Sequence, residues 1–398
     1  MKNPTLRNLW KAVFWVSFPF GILSFVLPIY GRQLGASALE IGGFFSAVSA
    51  VPVIVRPFLG RIMDRWGRRP FLLLGLFGYA IAMVVFSLSD SILQLTIARF
   101  IQGLGQAFLW LAAFTIVADI AQETGRGYDF GLIDEAVSRG ALIGTSVGFF
   151  ALFSLDQIAS TESQVWLILF ASYTIPTLIA LGIGWRGVPE SLPQRTGEII
   201  HSQPLSRQLF TLMVIVFFTG ASSMMVWPLL MIFLQDTLGA EVWGLAIAYL
   251  PAALINAFLP SRMGKLADRF GRTRPMAGGL ILGALASMLI PTLRSLGALS
   301  MLWAVENIGY TAAMPAERAF VADIAGEDFR GTSYGLYTFA YFLGALIGPI
   351  AGGWFYDRAG PATPFYINAG VLALGSIMVL IFLRESNRSA TVKVSLYD

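Results

Sequence analysis

The sequence predicts an all-α membrane protein with twelve transmembrane helices in two pseudo-symmetric six-helix bundles and both termini cytoplasmic. Three observations predict it. The 398 residues are 56% hydrophobic and only 13% charged, with a mean hydropathy of +0.70, against about 25% charged in an ordinary soluble domain. The apolar residues come in long blocks, and the second half of the chain repeats the first. A chain this apolar would expose more nonpolar surface than water tolerates. That excludes a soluble enzyme, a nucleic-acid binder and a disordered scaffold.

A span needs about 20 mostly apolar residues. Twelve blocks qualify, at 9–30, 40–62, 70–89, 93–118, 130–154, 165–185, 207–235, 243–262, 275–293, 297–321, 333–356 and 364–383. They carry Leu, Ala, Ile, Val and Phe on all sides, without the alternation of outer-membrane strands. The first block has no small-residue cleavage site and reads as a span. Pro19, Pro28 and Pro52 suggest bends in spans 1 and 2; Trp227-Pro228 and Pro251 suggest kinks in spans 7 and 8. The implied organisation is an N-terminal bundle (1–186), a cytoplasmic linker (187–206), a C-terminal bundle (207–384) and a cytoplasmic tail (385–398).

The basic residues orient the bundle. Arg61, Arg65, Arg68 and Arg69 fill the loop after span 2, and Arg262, Lys265, Arg269, Arg272 and Arg274 the loop after span 8. Cytoplasmic loops retain Lys and Arg, so this side is expected in the cytoplasm. The net charge of +4 then reflects topology and not an acidic partner. The chain has no cysteine, and its one histidine, His201, has no ligand neighbours. No disulfide and no metal site are expected.

Internal repetition is the strongest signal. GRIMDRWGRRP (60–70) aligns with GKLADRFGRTRP (264–275) at an offset of 204. Gly60, Asp64, Arg65, Gly67 and Arg68 thus pair with Gly264, Asp268, Arg269, Gly271 and Arg272. Downstream, Asp119 maps to Asp323, Arg126 to Arg330, and Gly140, Gly144 and Gly148 to Gly344, Gly348 and Gly352. Pro189-Glu190-Ser191 against Arg384-Glu385-Ser386 gives an offset of 195. The first half therefore holds about nine extra residues, expected in the outer loop 155–164. Paired repeats of this kind build many secondary transporters.

These residues resemble the major facilitator superfamily over nearly the whole chain. GRIMDRWGRR is similar to that family's G-x-x-x-D-R-x-G-R-R loop signature, and Arg99-Phe-Ile-Gln-Gly-Leu-Gly to its R-x-x-Q-G-x-G element. GALIGPIAGG, with Gly344, Gly348, Pro349, Gly352 and Gly353, resembles its G-x-x-x-G-P-x-x-G-G element. In the drug:proton antiporter-like branch that element lies in span 5; here span 5 has Thr145 where the Pro should be. The resemblance implies that Asp64 meets span 11, Asp268 meets span 5, Arg68 pairs with Asp119 and Arg272 with Asp323. Such contacts act either as a gate that forms and breaks or as a charge cluster that fixes topology. The resemblance also implies a cavity lined by spans 1, 4, 7 and 10.

Charges inside the spans are the candidates for chemistry, because burying one is costly. Arg99, Gln102, Gln106 and Trp110 share one face of span 4. Arg99 either faces a cavity or binds backbone carbonyls. Glu306 in span 10, with Asn307 and Tyr310, is a proton carrier, a ligand for a cationic substrate or a static partner of Arg99. In span 5, Asp134, Glu135 and Arg139 form a polar cluster in which Glu135 and Arg139 pair at i,i+4. They form an internal ion pair, or Glu135 is a second protonation site and Arg139 a substrate anchor. Glu317 and Arg318 are expected at the cytoplasmic gate. Arg56 is expected to snorkel to the interface. Phe18, Phe25, Trp110, Trp227 and Trp303 are candidates for the cavity wall, and the glycine rows for helix packing.

The expected function is secondary transport by alternating access, most consistent with proton-coupled efflux of amphipathic small molecules. The alternative is an uptake symporter or facilitator for a small polar or anionic metabolite. The remote alternative is a non-transporting receptor or enzyme, though no nucleophile, base or metal cluster suggests catalysis. Expected partners are a small-molecule substrate and the lipid bilayer, with no nucleic acid and no cofactor. A proton gradient would supply the energy to a monomer in a bacterial inner membrane.

Overall fold

The computed structural model describes residues 3–36, 38–122, 125–158, 161–192, 205–238, 242–325 and 329–385. His201 lies outside them. The described residues form fourteen α-helices and one 3₁₀ turn, with no strand. In chain order they are α1 (Pro4–Val16), α2 (Phe18–Gln33), α3 (Ala38–Trp66), α4 (Arg69–Ser87), α5 (Ile92–Ile120), α6 (Arg126–Ile158) and α7 (Glu162–Gly187). After the linker come α8 (Arg207–Leu238), α9 (Val242–Phe258), α10 (Pro260–Phe270), α11 (Thr273–Leu289), α12 (Leu296–Ile324), α13 (Arg330–Ala359) and α14 (Thr363–Phe382).

Two apolar blocks are each divided into two helices. The first breaks at Ser17, two residues before Pro19, and the Ser17 hydroxyl donates to the Val13 carbonyl at 2.7 Å. The eighth breaks at Leu259, because Pro260 has no N–H with which to continue the i→i−4 ladder. Pro52 and Pro251 lie inside continuous helices. Seven helices among the described residues are long and apolar enough to cross a bilayer. Large apolar side chains such as Phe150, Ile350, Leu374 and Leu380 are bare on the outer surface. Lipid tolerates this and water does not, so the protein is an integral membrane protein.

Packing follows the glycines. Gly140 and Gly144 of α6 bring that helix against the backbone of Phe14 and Phe18. Gly344, Gly348 and Gly352 of α13 do the same against Phe217, Ala221 and Met225 of α8. Gly148 instead meets the Tyr173 hydroxyl and Ile22. Gly353, expected in the same row, packs on nothing: a residue beyond Gly352 on the helix it is turned away from α8, and a Cβ there would meet open space. Pro349 sits inside α13 without ending it. Helices α3 and α13 pack along each other, as do α6 and the α9–α10 pair, and these contacts join the two halves of the chain.

The nine extra residues of the first half are not in a loop. Helix α6 is three residues longer than α13, and α7 six longer than α14. Lengthening a helix inside lipid keeps every added N–H paired, which a loop does not.

Gly264 faces Gly127 so closely that a Cβ would collide with its carbonyl. Gly264→Val should therefore destabilise the detergent-solubilised protein by about 1–3 kcal/mol, read as a lowered thermal midpoint. Gly353→Ala should leave that midpoint unchanged.

Candidate functional site

A twice-built ionic cluster closes the end of the bundle that carries the basic loops. Asp64, in the last turns of α3, accepts from the N–H groups of Gly331 at 3.0 Å and Thr332 at 2.8 Å, at the start of α13. It thus caps a helix belonging to the other half, whose unpaired N–H groups and dipole favour a carboxylate. Asp268 does the same for α6, accepting from Gly127 and Tyr128 at 2.9 Å each. Only glycine allows this approach at Gly60, where a Cβ would strike the Gly331 carbonyl.

The arginines complete each copy. Arg68, fully buried, lies 3.0 Å from Asp64 and 3.2 Å from Asp119. Arg330 reaches across from the other half to Asp119 at 3.2 Å. In the second copy Arg272 pairs with Asp268 and, at 3.1 Å, with Asp323, while Arg126 crosses to Asp323 at 2.9 Å. Glu190 then accepts from the N–H groups of Arg68 and Arg69, at 2.7 and 3.1 Å. Glu385 accepts from the Thr273 N–H and hydroxyl, both at 2.7 Å. Burial pushes the Glu385 carboxyl up, but the Thr273 hydrogen bonds and the Arg272 charge outweigh it and hold the group below its usual range. Gly67 and Gly271 supply the positive φ, 99° and 91°, that turns the chain between the helices.

Between the halves lies a cavity of about 480 Å³. Aromatic side chains, among them Trp110, Phe114, Trp227, Trp303, Tyr310 and Tyr341, make up a third of its wall, and four charged side chains line it: Arg56, Asp134, Glu306 and Arg318. Asp134 of α6 and Arg318 of α12 form an ion pair across the halves, with the guanidinium carbon 4.1 Å from the Phe114 ring centre. Asn307 donates to the Trp303 carbonyl at 2.8 Å and accepts from Asn256 at 2.7 Å. Glu306 has no hydrogen bond or ion pair among the described residues. Beside the wall, Glu317 accepts from the Tyr337 hydroxyl at 2.9 Å.

Residues 9–262 and 212–396 match the sequence model of the Major Facilitator Superfamily. The chain belongs to the major facilitator superfamily. It is 25% identical to multidrug resistance protein 1 of Bacillus subtilis, over 98% of this chain and 99% of that one. It is 28% identical to multidrug resistance protein MdtG of Proteus mirabilis, over 96% of each. Its fold is similar to the human organic anion transporter MFSD10, with TM-score 0.78 and 18% identity over 94% of this chain and 99% of that one. The proton:xylose symporter XylE gives TM-score 0.74 and 14% identity, covering 96% of each.

With the superfamily fold in place, each candidate residue can be located. Glu306, Asn307 and Tyr310 line the cavity, as do Trp110, Trp227 and Trp303. Arg99, Gln102 and Gln106 do not. Arg99 is buried and donates to the Gln102 side chain at 2.8 Å. Their stretch of α5 packs inside its own half: Gly103 abuts Val48 and Val51, and Gly105 abuts Gly75. No Arg99–Glu306 pair forms. Glu135 and Arg139 pair at 2.6 Å outside the cavity wall. There Glu135 accepts from the Ser261 N–H at 3.0 Å and Arg139 donates to the Ala257 carbonyl at 2.6 Å. Together they fasten α6 to the break between α9 and α10.

Other expectations are corrected. Arg56 does not snorkel: it is 1% exposed and lines the cavity. Arg65 and Arg269 stand outside the ionic clusters and are exposed, because each is one residue round the helix from its aspartate. Phe18 stacks on Trp15 instead of lining the cavity, and the side chain of Phe25 lies outside the described ones. Arg318 reaches the cavity as the partner of Asp134. The pairing of Glu190 and Glu385 with helix starts had a signal in the sequence, since both stand in the repeated Glu-Ser steps.

Asp119→Asn should weaken the hold on Arg68 and Arg330 together. Breaking a buried pair costs about 3–5 kcal/mol, so the basic end should open more often. The chain has no cysteine, so Ser333→Cys, buried at the start of α13, is a clean reporter. Its maleimide labelling should be several-fold faster in the Asp119→Asn background.

Proposed function

We propose that this protein is a proton-coupled exporter of amphipathic small molecules, working by alternating access. The observation that carries this is the pairing of a cavity rich in aromatic side chains with a Glu306 that is unpartnered among the described residues, above a basic end latched shut across both halves. A lone carboxylate among aromatic rings attracts a proton or a cationic group. Binding one must displace the other, and that exchange couples transport to a gradient. The multidrug resistance proteins that match nearly end to end support an amphipathic substrate.

In this reading the twelve rods, counting α1–α2 and α9–α10 as one each, are twelve spans. They form bundles over 1–186 and 207–384, joined by the 187–206 linker. The basic end and both termini face the cytoplasm of a bacterial inner membrane. The structure then represents the state shut toward the cytoplasm. Opening would separate α3 from α13 and α6 from α10, and close the opposite end around the substrate. The protein works as a monomer, with the proton gradient as its energy source and no bound cofactor.

Proteoliposomes with an imposed pH gradient and a panel of fluorescent amphiphiles test this. The wild-type protein should move dye against the proton gradient. Glu306→Gln should abolish gradient-driven movement by at least about tenfold, the effect expected of losing a group that acts directly in proton transfer. Undiminished gradient-driven transport by the variant would exclude Glu306 as the coupling group.

A further inference from the structure

Among the described residues, Arg56 is the one buried arginine that faces the cavity without a carboxylate of its own. Among the described buried arginines, Arg68, Arg126, Arg272 and Arg330 each sit beside an aspartate. Arg99 takes the Gln102 side chain and lies away from the cavity. Arg318, at the cavity, is paired with Asp134. Arg56 is 1% exposed, yet its only hydrogen bond among the described residues is a long one, 3.4 Å, to the Gln106 carbonyl. Its Nε is buried with no acceptor, and its guanidinium lies 4.3 Å from the centre of the Phe342 ring. An aromatic face compensates a cation only partly, and an unpaired buried charge is costly. The planar fork is the group best shaped to take a carboxylate through two parallel bonds.

We propose that Arg56 is an anion-recognition group of the substrate cavity, and that the cavity takes zwitterionic amphiphiles. The substrate's carboxylate would lie on the Arg56 fork beside Phe342. Its cationic group would lie toward Glu306, the other unpaired charge of the same wall. With Asp134 and Arg318 neutralising each other, the wall offers one positive and one negative group, which a zwitterion satisfies and a simple cation does not. This rests on reading the cavity as the substrate site.

The test uses one dye in two forms: tetramethylrhodamine, a zwitterion with a free carboxylate, and its methyl ester, a cation. Binding to the purified full-length protein is followed by quenching of tryptophan fluorescence, since three tryptophans line the cavity. The wild-type protein should hold the acid more tightly than the ester. Arg56→Gln should weaken the acid by about tenfold or more, the effect of losing hydrogen bonds to a charged group, and leave the ester within about twofold. Equal weakening of both dyes would show a packing role and overturn the proposal. So would equal binding of acid and ester by the wild-type protein, a comparison that needs no variant to fold. Binding of neither dye to the wild-type protein would overturn the reading of the cavity itself, and the proposal with it.

Discussion

A charge inside a low-dielectric bundle must meet an opposite charge or water, because leaving it bare costs several kcal/mol. The architecture of the basic end follows from that constraint. Asp119 holds Arg68 from its own half and Arg330 from the other; Asp323 does the same for Arg272 and Arg126. The two halves must dock for both crossing arginines to be paired. Because the clusters lie at the end of the bundle, water can replace the protein partners when the halves part. The same clusters at mid-depth would lock the fold permanently.

Duplication explains the gate and fails to explain the cavity. At the gate each aspartate and arginine of the ion pairs has a counterpart 204 positions on that makes the same contact, and Glu190 has one 195 positions on. In the cavity wall the same offset relates Arg56 to Pro260, Phe114 to Arg318, Gln102 to Glu306 and Asp134 to Thr338. Every charged cavity residue therefore faces an uncharged counterpart. The repeated part is the ionic latch across the halves, which the proposed transport cycle would open. The diverged part determines what the cavity can hold, and its four charges come two from each half.

Legibility in the sequence divides along the same line. The apolar blocks locate the helices because lipid demands length and hydrophobicity from each span independently of its neighbours. The ionic clusters could be anticipated because repeat and family resemblance both mark their residues. The cavity could be anticipated only in part: Glu306, Asn307, Tyr310 and three tryptophans were legible, and its arginines were not. Arg56 and Arg99 each interrupt an apolar stretch of helix, and periodicity shows which residues share a face without showing where that face points. The close approach of Gly103 and Gly105 to α3 and α4 turns Arg99 inward within its own half. That is a tertiary fact with no local signal. The helix break at Leu259 had its signal in Pro260, but its consequence, a free Ser261 N–H for Glu135 to take, required knowing that α6 lies alongside.

The carboxylates that reach across the halves share a further property. Asp64 keeps Arg68, Asp268 keeps Arg272 and Glu135 keeps Arg139, each four residues further along the same stretch of chain. When the halves part, each loses the backbone N–H groups it caps but retains its own cation. No bare buried carboxylate is produced, so these latches can open at modest cost. Asp134 and Arg318 differ. They pair across the halves inside the cavity, and among the described residues neither has an ion pair within its own half to fall back on. Parting them therefore exposes two charges at the place where substrate and water enter. In the proposed transport cycle the pair would make opening at the cavity depend on what occupies it, whereas at the basic end water could take the place of the lost partners.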